Sequence, residues 1–296
     1  ELREQFNLAR LLLEQASDQS LRKWRAGFVS NYACITYRYG YAKKARYLAE
    51  KAYKLCDEYP NKSTEGQALS ILLSTNLYLG LFSDALYWAE LDVFNHEVDT
   101  PLWANAIGNL GCVQRENGDN NTFFISSNVY NKTAWIETNL GLLYFFESNL
   151  LQARQWLEQG ISRQQTFWLA RQKLYLSMVA LVEGNTEEAQ ELCSFVLDST
   201  RKSKRKVLHA EALIQQARIY LRQQQAERAL EVIQQATSEL STTEMRNRQL
   251  QADMVLADIE LELGKRDLAG QRLADLNDQR NSLSAFDQKG LDALLE

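Results

Sequence analysis

Small and apolar residues recur along this chain at helical spacing, and the arrangement itself repeats. The segments GYAKKARYLAEKA (40–52), GLFSDALYWAELD (80–92), GNTEEAQELCSFV (184–196), QQAERALEVIQQA (224–236) and GKRDLAGQRLADL (264–276) each open on a turn residue. Five positions later each has alanine: Ala45, Ala85, Ala189, Ala229 and Ala269. SNLLQARQWLEQG (148–160) puts Ala153 in the same place. Three of the intervals, Ala45 to Ala85, Ala189 to Ala229 and Ala229 to Ala269, are 40 residues. Within the first copy Ala45, Ala49 and Ala52 form the i, i+4, i+7 stripe of an amphipathic helix. Upstream of each turn runs another helical segment, with a small residue seven positions before it: Ala33, Gly111, Gly141, Ser177, Ala217 and Ala257. Small residues on facing helices let their backbones approach, so the predicted unit is helix, tight turn, helix, packed as an antiparallel hairpin. Gly40, Gly80, Gly118, Gly184 and Gly264 supply the left-handed residue that ends the first helix.

The pattern predicts one solenoid over residues 1–296, with helix pairs at about 25–57, 65–96, 102–131, 133–161, 168–199, 207–240 and 246–279. One unit departs from it. After Gly118 the run DNNTFFISSNVYNKT lacks the second-helix alanines and is rich in asparagine, which favours turns and caps, so a shortened helix or an irregular loop is expected over 118–133. Recognition and simple repeat decay both account for such a segment. Residues 1–18, with Phe6, Ala9, Leu12 and Leu13 on one face, read as the second helix of a unit whose first helix is absent. Residues 284–296 read as the start of another, and the expectation is a segment cut from a longer protein.

Small residues at set places in the first helix, a glycine turn and Ala45, Ala49 and Ala52 in the second resemble the tetratricopeptide repeat (TPR) family over nearly the whole chain. The resemblance implies an all-α fold, a right-handed α-α superhelix whose concave face is lined by the first helices. Two departures are visible. The period is nearer 40 than 34, and the proline usual after the second helix is missing. The longer repeat is similar to those of bacterial regulators related to the maltose-responsive activator, and of sensory regions of bacterial signalling proteins. In the family, concave positions correspond here to Ser30, Cys34, Tyr37, Arg38, Gln67, Ser70, Ser74, Tyr78, Asn105, Cys112 and Arg115. They continue through Trp135, Thr138, Phe145, Phe146, Arg171, Leu174, Met178, Arg218, Arg222, Asp258 and Glu262. The candidate ligand-contacting residues among them are Tyr37, Arg38, Ser74, Tyr78, Asn105, Arg115, Trp135, Phe145, Phe146, Arg171 and Met178.

Composition sharpens this picture. The 296 residues include two prolines, Pro60 and Pro101, where average usage gives roughly fifteen, as expected for long uninterrupted helices. All but four of the 6 Trp, 13 Tyr and 11 Phe lie in residues 1–168, so the groove is expected to be polar and aromatic first, apolar near the fourth and fifth units, and charged at the end. A net charge of −5 argues against nucleic acid as a partner. No stretch of 18 apolar residues is present to span a membrane. The basic run Arg201, Lys202, Lys204, Arg205 and Lys206 reads as a solvated connection. Cys34, Cys56, Cys112 and Cys193 are too dispersed for a metal or disulfide framework and read as buried free thiols. The motifs of nucleophilic, phosphate-binding, dinucleotide-binding and zinc-dependent enzymes are all lacking, and the two histidines, His96 and His209, sit in different units. No catalytic residue, cofactor or metal is therefore expected. The expected function is a protein- or peptide-binding scaffold, the interaction or sensory region of a larger bacterial signalling or regulatory protein. The alternative is a sensor whose aromatics take a sugar or metabolite. Nothing in the sequence chooses between cytoplasm and periplasm or sets an oligomeric state.

Overall fold

The alanines five positions after each turn are completely buried, and the architecture follows from them. A computed structural model of the chain describes residues 24–97, 100–116, 134–164, 166–203 and 205–295. These residues form 14 α-helices and no strand. The first two pairs are α1 (Arg25–Arg38) with α2 (Ala42–Glu58), and α3 (Lys62–Leu79) with α4 (Phe82–Phe94). Helix α5 (Pro101–Glu116) follows, then α6 (Ala134–Phe146) with α7 (Leu150–Ser162). The remaining pairs are α8 (Thr166–Val182) with α9 (Thr186–Ser203), α10 (Lys206–Arg222) with α11 (Ala226–Ser241), and α12 (Arg246–Glu262) with α13 (Arg266–Asp278). A 3₁₀ turn at Arg280–Ser282 leads into α14 (Ala285–Leu295). Residues 1–18 and the 118–133 run, for which a helix and an irregular segment are expected, lie outside the described residues.

Each helix packs on the next, and the first helix of a unit also packs on the first helix of the following one. The seam within a pair is made by side chains that leave no room for anything larger. Ala45, Ala85, Ala153, Ala189, Ala229 and Ala269 face Ala33, Ser177, Ala217 and Ala257 at equal depth. At Gly141 a β-carbon would fall inside the side chain of Leu157, which fills the space instead. Ser177 is polar, but its hydroxyl donates to the Ala189 carbonyl at 2.8 Å, so no buried group is left unmatched there. The turn residue is left-handed in every described hairpin that ends in the repeat pattern, including Ser148 (φ 60°) and Gln224 (φ 58°), where glycine is absent.

The right-handed superhelix turns far enough for its two ends to meet. Ala42, Val207 and Met245 bury one another beside Tyr37, Tyr78 and Leu79, joining the first two units to the last two. Helix α2 has no cap from its own chain neighbourhood. Its exposed N-terminal amide on Lys43 donates instead to the Glu244 carboxylate at 2.7 Å, and the Glu244 N–H donates back to the Gly40 carbonyl at 2.8 Å. An anion at a helix N-terminus is favourable, so the last unit completes the first. On the other side Phe286 of α14 packs on Phe146 at 4.4 Å between ring centroids and on Phe145 at 6.1 Å. Solenoid units normally touch only their neighbours; these do not.

Two turn glycines stand at the closure. A β-carbon on Gly40 would come within 2.7 Å of Thr243, and one on Gly80 within 2.8 Å of Ser282, whereas Gly184 faces open space. All three have positive φ. Gly184→Ala is expected to lower unfolding free energy by about 1–2 kcal/mol, the left-handed penalty alone. Gly40→Ala and Gly80→Ala should add about 1–3 kcal/mol for overpacking and raise the radius of gyration as the ends part, read by denaturation and small-angle scattering.

Candidate ligand-binding cavity

Because the ends meet, the concave face is a deep pocket, open to solvent past Tyr39, Ser203 and Phe286. Helices α1, α3, α5, α6, α8, α10, α12 and α14 surround about 750 Å³, within the usual size of small-ligand and peptide-end sites. Each first helix presents one stripe to it. Arg171, Leu174, Tyr175 and Met178 come from α8, Leu208, Glu211, Ile214, Gln215 and Arg218 from α10, and Asn247, Arg248 and Gln251 from α12. The three- and four-residue intervals in these sets put each on a single helical face.

The electrostatic centre of the wall is Glu211. It accepts from Arg248 Nε at 2.6 Å and pairs with Arg171 at 3.4 Å, linking three consecutive units. Burial pushes its carboxyl up, but Arg171 and Arg248 outweigh that, and it titrates below the ordinary glutamate value. Arg171 donates to the Tyr175 hydroxyl at 3.0 Å, and Arg248 stands 5.2 Å over the Tyr78 ring. Tyr78 in turn meets Tyr37 at 5.5 Å, and burial, with Tyr78 beside it, raises the Tyr37 phenol well above the usual range. Across the cavity Arg115 pairs with Glu116 at 2.7 Å and lies 5.6 Å from the Phe146 ring. Asp287 is held by Ser284 and Gln251, each donating at 2.7 Å, in a capping box that opens α14. Burial raises the Asp287 carboxyl.

Of the residues singled out from the sequence, Tyr37, Arg38, Ser74, Tyr78, Arg115, Phe146, Arg171 and Met178 line the cavity, with Cys112, Thr138, Leu174 and Arg218 from the wider set. Three do not. Asn105 is exposed and outside the wall, because α5 turns that end of its face to solvent. Phe145 packs behind the wall with Leu157, Leu176 and Val179, one position around the helix from Phe146. Trp135 belongs to α6, with its side chain outside the described ones. In the last unit the wall is Asn247, Arg248 and Gln251, about two to four turns before Asp258 and Glu262, which the pattern assigned. Arg205 leaves the basic run for the wall, while Arg201, Lys202 and Lys206 are exposed. Glu211, Tyr175 and Gln215 were legible as neighbours of Arg171 and Arg218 on one face, but Phe286 and Asp287 come from a helix that only closure brings here.

Among the described residues no cluster of three His, Cys, Asp or Glu is arranged for a metal, and no helix is long and apolar enough to cross a membrane. His96 meets Asp92 at 3.1 Å and His209 meets Glu239 at 2.8 Å. The four cysteines are free; Cys56 and Cys193 are buried, but Cys34 and Cys112 only partly, since both sit on the first-helix face. Burial raises the Cys193 thiol to about 12 and Cys112 to about 11, which leaves both protonated and unreactive at neutral pH.

Replacing Glu211 leaves Arg171 and Arg248 facing one another in a buried wall. Glu211→Gln is expected to lower unfolding free energy at neutral pH by about 3–5 kcal/mol. The carboxylate's contribution is present above the ordinary glutamate value of about 4.3 and lost as pH falls through its lower folded value. Urea unfolding of the two proteins should therefore differ by a constant amount from about pH 5 to about pH 8 and by progressively less below about pH 4.

Several solved structures share this backbone at low sequence identity. The apo form of the quorum sensor NprR from B. thuringiensis superposes with a TM-score of 0.64 at 13% identity, covering 94% of this chain and 81% of that one. A Rap protein complexed with competence and sporulation factor gives 0.60 at 14% identity, covering 88% and 79%. A tetratricopeptide repeat protein from Parabacteroides merdae gives 0.55 at 15% identity, covering 91% and 97%. No family model and no curated protein matches the sequence. Likeness at such identities bears on fold and not on ligand: the chain is an all-α, right-handed, TPR-like solenoid.

Proposed function

We propose that this chain is a protein-interaction module whose central cavity takes a short segment of a partner polypeptide. It serves as the interaction or sensory region of a larger bacterial signalling or regulatory protein. The observation that carries the reading is convergence: the first helix of every described unit aims its stripe into one pocket of about 750 Å³. Aromatic rings and arginines, the side chains that dominate binding hot spots, alternate around it. The likeness to a Rap protein complexed with competence and sporulation factor and to the quorum sensor NprR supports the same direction. In this reading the wall binds and displays and has no catalytic role. Ligand contacts made to the first and last units together stabilise the closed ring, which is how occupancy reaches an attached domain.

A sensor for a sugar or metabolite is the second reading, favoured by a volume within the range of small-molecule sites. The experiment is a fluorescence-anisotropy screen of short labelled peptides against the chain and the double variant Phe146→Ala, Met178→Ala, beside a thermal-shift screen of metabolites. Peptide binding that weakens at least about tenfold in the variant is expected. Unchanged peptide affinity would remove the cavity from the interaction. A metabolite that raises the melting temperature while no peptide binds would transfer the assignment to the second reading, because a ligand of the native state must stabilise it.

A further inference from the structure

The outer, convex face changes character along the chain, and the repeat itself shows where. Two positions after the buried alanine of each second helix stands an outward residue. In the later described units it is Gln155, Glu191, Glu231 or Gln271, all exposed. In the first two units it is Tyr47, 65% exposed, and Tyr87, 58% exposed. Nine positions after the alanine the outward residues are Lys54, Ser162, Asp198, Ser238 and Asp278, again all exposed, but α4 has Phe94, 85% exposed. Units with polar residues at these places form the same hairpins, so the fold does not require the rings. Exposed apolar groups gathered on one surface and rimmed by charge mark an interface.

The two helices that carry these rings form one surface. Arg46 of α2 pairs with Asp84 of α4 at 3.6 Å, and further along Tyr53 rests on Trp88 with ring centroids 5.9 Å apart. The helices therefore run side by side in one direction, and the repeat places residues 40 apart at similar heights. Tyr87 packs edge-on against Trp88 at 5.1 Å, which holds its ring in place. Charge divides the surface lengthwise. Lys43, Lys44 and Lys54 are exposed on the stripe of α2 that holds Tyr47, whereas α4 contains no lysine or arginine and exposes Asp84 and Glu90 on the stripe that holds Tyr87 and Phe94.

We propose that this face docks a second copy of the chain, as a two-fold dimer in which α2 of each copy lies over α4 of the other. A two-fold axis lying in the face and parallel to the helices exchanges the two ridges and keeps the height of every residue. Tyr47 then meets Tyr87 of the second copy, Lys44 stands opposite Asp84, and Lys54 stands opposite Phe94, and each contact occurs twice. A basic ridge on an acidic one around an aromatic centre is the self-complementarity that such an interface needs. Glu50, which comes opposite Glu90, is already paired with Arg46 at 3.2 Å. The other two-fold axis in the face, running across the helices, lays the lysines of α2 on their own copies and the acids of α4 on theirs, so charge selects the first arrangement. The pocket belongs to the first helices and the dimer to the second, so the dimer leaves the pocket open to its ligand.

Sedimentation velocity over about 1–100 μM chain tests this, and the wild type should pass from monomer to dimer within that range. Tyr47→Gln, Tyr87→Gln, Phe94→Ser together install residue types that later units carry at the same places, and should raise the dimer dissociation constant at least about tenfold. Leu268→Gln, on the exposed face of α13, should leave it within about twofold. Two charge reversals, Lys44→Glu with Lys54→Glu in one chain and Asp84→Lys with Glu90→Lys in another, should each weaken self-association at least about tenfold. Their equimolar mixture should recover wild-type sedimentation. In the mixed dimer the reversed α2 faces the reversed α4, and the two untouched ridges face each other. All variants should keep the wild-type melting temperature at about 1 μM, since the replaced side chains are exposed. A wild type that stays monomeric throughout, a dimer indifferent to the three ring substitutions, or a mixture that associates no better than its components would overturn the proposal. Each of these results leaves ligand binding in the pocket untouched.

Discussion

Close approach of paired helices, built on fully buried alanines, is the constraint on which the molecule depends. Ala45, Ala85, Ala153, Ala189, Ala229 and Ala269 have no exposed surface, and in most units the residue facing them is small as well, Leu73 against Ala85 being the exception. Larger side chains such as Leu69, Leu72, Leu143 and Ile219 are fully buried alongside them. Repeated along the chain, the pairing accumulates into curvature. A larger residue at the seam would therefore do more than strain one hairpin, since it would change the direction in which the following units travel.

Curvature brings together groups that lie some two hundred residues apart. The carboxylate of Glu244 serves as the cap that α2 lacks, and Phe286 seats itself on Phe146. These contacts turn a concave surface into a deep pocket partly screened from water, and partial screening strengthens the interactions inside it. The glutamate held ionised between two arginines and the tyrosine raised by burial follow from that partial screening. The same surroundings make a ligand's charge count for more than it would on an exposed groove. Binding, closure and electrostatic selectivity are therefore coupled through one geometric fact, the distance between the first two units and the last two.

Within that frame the sequence and the structure divide the site unevenly. Residues near the turn of each first helix, such as Tyr37, Tyr78, Arg115, Phe146 and Met178, could be placed by counting back from the turn, because helical spacing carries a face with it. Phe145 and Phe146 show the precision of the method: adjacent residues point about 100° apart, and Phe146 alone reached the wall. Counting failed for the last unit, where the start of α12 faces inward in place of Asp258 and Glu262. There the superhelix has come round, and the inward face is set by what stands opposite. The expected drift from aromatic to charged along a groove also dissolves once the ends meet. Phe286 and Tyr175, two of the four aromatic residues beyond 168, stand in the same wall as Tyr37 and Tyr78.

Local interactions alone determine the helix, the turn and the seam. Periodicity, a left-handed residue and a small side chain act within one unit, and a unit's sequence contains all of them. Whether the ends of the array meet, and which six arginines come together between them, is decided by the sum of small rotations from unit to unit. No single segment encodes that sum. It becomes physical only when Gly40 meets Thr243 and Gly80 meets Ser282 across the closure.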